Sequence, residues 1–233
     1  MKTKGFTMAE VLITLGIIGI VAAMTLPSLI NNKRNKALET AFKKNYSVIE
    51  QALNMYYAQN GERLTKDTIA EGHLKGTIIK YFNVLVDCGR GSEWDASALE
   101  KTCIPNYENE GSTDKNSTNY KTFNGKTNIY LRPFDDGQFV LNDGSLILLE
   151  DSTPRNLYIS VDVNGYKQNP NRLGQDLFMF QISEQGKLLP MGAEGTTYYR
   201  ETDEYCSKTS TSNMNGAGCT IKALTEKDYF SKL

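Results

Sequence analysis

The sequence is nearly without histidine: His73 is the only one among 233 residues. It lies between Gly72 and Leu74 in a polar, helical setting and reads as a surface residue. The commonest general base and metal ligand is therefore almost missing. The four cysteines contain no Cys-x-x-Cys pair, so a closed zinc site has no ligand set. There is no Gly-rich phosphate loop and no Gly-x-Ser-x-Gly element. Charge is balanced too, with 26 Lys and Arg against 27 Asp and Glu. A chain without a basic excess lacks the overall footprint of a nucleic-acid binder. No internal repeat is visible. These absences argue against an enzyme, a zinc module and a nucleic-acid partner.

What is present begins at the N-terminus. A short basic leader, Met1 to Gly5, precedes Phe6-Thr7-Met8-Ala9-Glu10, and the chain then stays apolar from Val11 to Leu26 before Pro27. Phe6 to Leu26 matches the about 20 residues that a spanning helix needs. A carboxylate inside such a helix costs about 2.5–3.5 kcal/mol at the bilayer centre on insertion scales, so Glu10 calls for a functional partner. Gly16, Gly19 and Ala23 share one helix face, and small residues on one face let helices approach closely in lipid. A secretory signal would have a shorter apolar region and a small-x-small cleavage site, of which Ala22-Ala23 is a weak version. Basic residues flank both ends of the run, so charge counting does not orient it.

This N-terminus resembles those of type IV pilins and type II secretion pseudopilins. The resemblance rests on Lys4-Gly5-Phe6-Thr7, Glu10 and Pro27. Counted from Phe6, Glu10 is the fifth residue and Pro27 the twenty-second, which is the register of that family. The resemblance implies cleavage after Gly5 by prepilin peptidase, methylation of the Phe6 amine, and packing of the helix into a filament. It also implies an N-terminus in the cytoplasm, other pilin subunits and an inner-membrane assembly platform as partners, and an outward-facing globular domain. Alternatives are a membrane-tethered binding protein or adhesin that joins no filament, and a signal-anchored enzyme.

The remaining chain divides accordingly: leader 1–5, membrane and assembly half of the helix 6–27, amphipathic half 28–60, and globular domain 61–233. Leu38, Phe42, Ile49, Leu53 and Tyr56 recur at helical spacings, which predicts a stripe packed on the protein's own domain. Asn60-Gly61 is a stop signal. Pro27 removes a backbone donor and predicts a bend near the membrane boundary. Thr65 to Val86 reads as one or two short helices broken near Gly72 and Gly76, and Asn106 to Asn128 as a long polar surface loop. Two hairpins are expected, one turning at Asn142-Asp143-Gly144-Ser145 and one at Ser183-Glu184-Gln185-Gly186. Between them, Leu157 to Val163 alternates as a strand. Asp135-Asp136-Gly137 reads as a turn before a strand. The sum is an α+β fold, a long helix on four or five antiparallel strands. That agrees with the pilin architecture the resemblance implies.

Cys88, Cys103, Cys206 and Cys219 suit two disulfides in a domain outside the cytoplasm. Three connectivities exist. The nearest-neighbour one, Cys88–Cys103 with Cys206–Cys219, closes two short loops, each worth about 3 kcal/mol in the chain-entropy model. Asp162, Asn164 and Asp176 offer oxygen ligands of the kind calcium takes. They lack the rest of an EF-hand loop, and Asn164-Gly165 is equally a plain turn. Some pseudopilins use a calcium loop, so both readings stand: no cofactor, or calcium here.

Overall fold

The computed structural model describes residues 5, 7–91, 102–104, 116–151 and 156–233, with the backbone alone for 116–119. Thr7 starts the first helix, α1 (Met8–Asn60), from an extended conformation. Gly61 ends it at φ 75°, donating its N–H to the Tyr57 carbonyl. That left-handed cap is strained for any residue with a Cβ, which is why Asn60-Gly61 is a stop. Pro27 sits inside this continuous helix. The expected bend does not divide α1 into two elements, and its 53 residues run from the apolar start to the end of the buried stripe.

That stripe is the one the spacing predicts. Leu38, Phe42, Ile49, Leu53 and Tyr56 are all buried, together with Ala52. They cover a six-stranded antiparallel sheet made of β1 (Val84–Asp87), β4 (Gly137–Leu141), β5 (Leu146–Glu150), β6 (Leu157–Asp162), β7 (Leu177–Ile182) and β8 (Leu188–Pro190), in that spatial order. Strands β2 (Asn116–Lys121) and β3 (Asn128–Tyr130) pair separately. Both expected hairpins are present as β4–β5 and β7–β8. The first turn is tied to the helix: buried Asn45 accepts from the Ser145 hydroxyl at 3.0 Å, and Lys44 pairs with Asp143 at 2.7 Å.

Side chains alternate across a strand, so a sheet sorts its residues between two faces. Toward α1 point Phe139, Ile147, Leu149, Leu157, Ile159, Val161, Phe178 and Phe180. Away from α1 point Leu146, Leu148, Tyr158, Leu177 and Met179, which join Tyr120, Ile129, Phe134, Met191 and Met214 in a second core. Every residue of β5, β6 and β7 is consequently buried. The alternation of Leu157 to Val163 predicts a strand, and the strand is present as β6. Its polar residues Ser160 and Asp162 are buried, facing this second layer.

Three further expectations are corrected. Gly76 lies inside α2 (Leu74–Ile78) and does not break it, and Val84–Val86 belongs to a strand. The polar stretch read as a loop contains β2 and the start of β3; its portion 106–115 lies outside the described residues. The sheet has six strands where four or five were expected.

The C-terminal segment closes the fold. Helix α3 (Cys219–Thr225) leads to a 3-10 turn, Phe230–Lys232. Phe230 packs 5.7 Å from Phe42 and 5.8 Å from Phe178, centroid to centroid. Both disulfides follow the nearest-neighbour scheme, Cys88–Cys103 and Cys206–Cys219, at sequence separations of 15 and 13. The first holds Ile104 where Gln138 grips it twice, accepting from its N–H at 2.8 Å and donating to its carbonyl at 2.6 Å.

Candidate assembly and processing site

The N-terminal half of α1 leaves the domain entirely. Val11, Leu12, Ile13, Leu15, Ile17 and Ile18 are exposed on all sides, as are Met24, Leu26 and Ile30 farther along. Apolar surface on this scale is unstable in water and marks a membrane or protein partner. The helix is long and apolar enough to cross a membrane. At Gly16 and Gly19 nothing lies within 4 Å of where a Cβ would be, so both glycines stay open to an approaching helix.

Glu10 sits in the first turn of this bare helix in a reciprocal capping box. Its N–H donates to Thr7 Oγ1 at 3.2 Å. Its Oε2 accepts from the Thr7 N–H at 2.8 Å and from the Thr7 hydroxyl at 2.9 Å. Two orphan helix N–H groups are thereby satisfied. The carboxylate is turned back onto Thr7, at the positive end of the helix dipole. Gly5 is exposed. Phe6, the expected first mature residue, lies outside the described residues.

The loop after β6 brings Asp162, Asn164 and Asp176 together, as the calcium reading needs, and shows what else they do. Asp162 Oδ1 accepts from Asn164 N at 3.2 Å and Gly165 N at 2.9 Å, and its Oδ2 accepts from the Tyr120 hydroxyl at 2.5 Å. Asp176 accepts from the N–H groups of Asn171 and Arg172 at 2.7 and 2.6 Å. All four carboxylate oxygens are thus engaged in shaping the turn. Burial, and then the charge of Asp176, pushes Asp162 up to about 7; burial also raises Asp176, to about 6. Asn164 Oδ1 is buried with no hydrogen-bond partner.

Two features escape a reading of the sequence. Tyr120 lies in the stretch taken for a surface loop, yet it is wholly buried and bonds Asp162. Asp135 and Asp136, read as a turn, are buried beside Glu150 and Asp151. The only signal for the second was four carboxylates flanking one expected hairpin. His73 is exposed at the start of α2, as expected, and Trp94 lies outside the described residues.

With this geometry in view, similarity to known proteins concentrates at the same end of the chain. Residues 1–26 match the prokaryotic N-terminal methylation motif. Over 59 residues the chain is 36% identical to the type II secretion system core protein G of Escherichia coli (strain K12). That match covers 25% of this chain and 40% of the relative's length. No solved structure matches the chain.

Proposed function

We propose that this protein is a structural subunit, a pilin or pseudopilin, of a type IV pilus-like filament that serves type II secretion or a related pilus system. The observation that carries the reading is the bare half of α1: an apolar rod with open glycines and one carboxylate at its tip. A plain membrane anchor gives no reason for that carboxylate. In this reading prepilin peptidase cuts between Gly5 and Phe6, and the new Phe6 amine becomes the partner of Glu10. A free α-amine titrates near about 7.7–8.0, so it carries charge at neutral pH. In a staggered bundle the amine of one subunit meets Glu10 of the next. Repetition of such a head-to-tail contact without closure gives a helical filament. The cytoplasmic N-terminus, the outward domain and the assembly-platform partner belong to the same proposal, as does the absence of catalysis. So does the choice at the Asp162 loop, where the four carboxylate oxygens that already accept hydrogen bonds support turn-shaping over calcium.

The test is Glu10→Leu. It makes the helix more lipophilic, so membrane abundance and domain folding persist while filament incorporation fails. Wild-type incorporation of Glu10→Leu would overturn the charge pair and leave a membrane-tethered binding protein as the better reading.

A further inference from the structure

We propose that Asp135, Asp136 and Glu150, with Asp151 beside them, form a binding site for one hard divalent cation of the calcium class. The site is built by sheet register. β4 and β5 pair Gly137 with Leu149, so the residues just beyond each, Asp136 and Glu150, come together where the hairpin strands end. Asp135 precedes and Asp151 follows, and all four are buried, at 4, 7, 1 and 3% exposure in chain order. Candidate ligand oxygens of Asp135, Asp136 and Glu150 lie within 4.8 Å of one another. Oxygens held at about 2.3–2.6 Å from one calcium ion are at most about 5 Å apart, so these three can share a centre.

The second observation is Asp151. Its Oδ2 accepts from Leu74 N at 2.7 Å, but its Oδ1 is buried with no hydrogen-bond partner. Its carboxylate lies against that of Asp136, which also accepts from Asp151 N at 3.0 Å. A buried carboxylate oxygen with no donor, on a carboxyl group beside that of Asp136, is costly unless a cation or a proton sits between them. Arg90 supplies one guanidinium, to Asp136 at 2.7 Å. The oxygen-only set, with no sulfur or imidazole, is the chemistry of calcium and not of zinc.

The site has structural consequences. Gly91 donates its N–H to the Asp135 carbonyl at 2.8 Å, and a Cβ there would meet the Gln138 side chain at 2.3 Å. An ion bound to these carboxylates would therefore hold the segment after β1, the ends of β4 and β5, and the start of α2 as one unit. It is independent of the Asp162 loop and of filament assembly.

The experiment is isothermal titration of calcium chloride into the chelator-treated, full-length protein in detergent, with thermal unfolding measured in parallel. One ion should bind saturably, with a Kd of about 10⁻⁴–10⁻³ M as in other extracellular modules, and should raise the unfolding midpoint. Glu150→Gln, which keeps the side-chain size, should weaken binding at least about tenfold, because ligand charge sets affinity. Asp135→Asn is the second variant, expected to weaken binding similarly. The absence of saturable uptake would overturn the site in favour of a retained proton. So would binding that survives both variants, or binding that Asp162→Asn abolishes, which would place the ion in the other loop.

Discussion

Phe42→Ala tests whether the stripe on α1 belongs to this protein's own core. Phe42 is wholly buried, and its ring meets Phe178 at 4.2 Å, Phe230 at 5.7 Å and Phe180 at 6.2 Å. Truncation removes contacts to three rings on two elements and leaves a cavity that neither the helix nor the sheet can collapse to fill. Such Phe→Ala changes cost about 3–5 kcal/mol. At about 2–4 °C per kcal/mol for a chain of this size, the midpoint should fall by roughly 10 °C. The assay is thermal or urea unfolding of the unassembled protein in detergent, followed by far-UV dichroism. Leu85→Ala is the control, since Leu85 is 63% exposed on β1 and should stay within about 0.5 kcal/mol of wild type. If Phe42→Ala costs less than about 1 kcal/mol, the stripe is an intersubunit surface and the domain folds without it.

Intact-mass measurement of membrane-extracted protein should find Phe6, carrying a methyl group, as the first residue; a start after Ala23 would refute the processing site. Peptide mapping under non-reducing conditions should recover Cys88–Cys103 and Cys206–Cys219, and crossed links or free thiols would count against both. In chelator, stability should decline from about pH 4 to pH 7. Asp162 and Asp176 hold protons in the folded state that the unfolded chain releases near 3.8, so their contribution is complete below that pH and is lost as pH rises through about 6 and 7. Asp87 and Asp143 are lowered, and their contribution is lost only in more acidic solution. Asp162→Asn should flatten the decline, and an unchanged slope would refute the assignment.

Local patterns carried the parts of the fold that were legible in advance. The helical stripe from Leu38 to Tyr56 shows because 3.6-residue periodicity is a property of neighbouring sequence. Both hairpins show because their turn residues sit between two apolar runs. The two-residue alternation in β6 was also visible, but the sequence does not say whether water or a second layer meets the polar face. That layer includes Tyr120, whose strand is rich in Asn, Ser, Thr and Lys and reads as loop by composition. Asp162 finds Tyr120 across 42 positions, a pairing that no local rule reports. The acidic cluster hid for the same reason: only the β4–β5 register joins Asp136 to Glu150. At the N-terminus, the long apolar helix that carries Glu10 and Pro27 is legible because its pattern is contiguous in the sequence.

The closure of the core by the C-terminal segment sets a timetable for biogenesis. Asn35 Nδ2 donates to the Leu233 carbonyl at 3.4 Å, across 198 positions, and Phe42 waits for Phe230. Long-range contacts of this kind form late, because loop closure must precede them. During synthesis the apolar end of α1 emerges first, while the cover of its buried stripe stays incomplete until almost the whole chain has been made. Throughout that interval the nascent protein displays two kinds of apolar surface at once, one meant for a partner and one meant for itself. Exposed surface in such intermediates is prone to aggregation. A rod already seated in its final surroundings would shield the first kind and keep chains apart until the last residues complete the second.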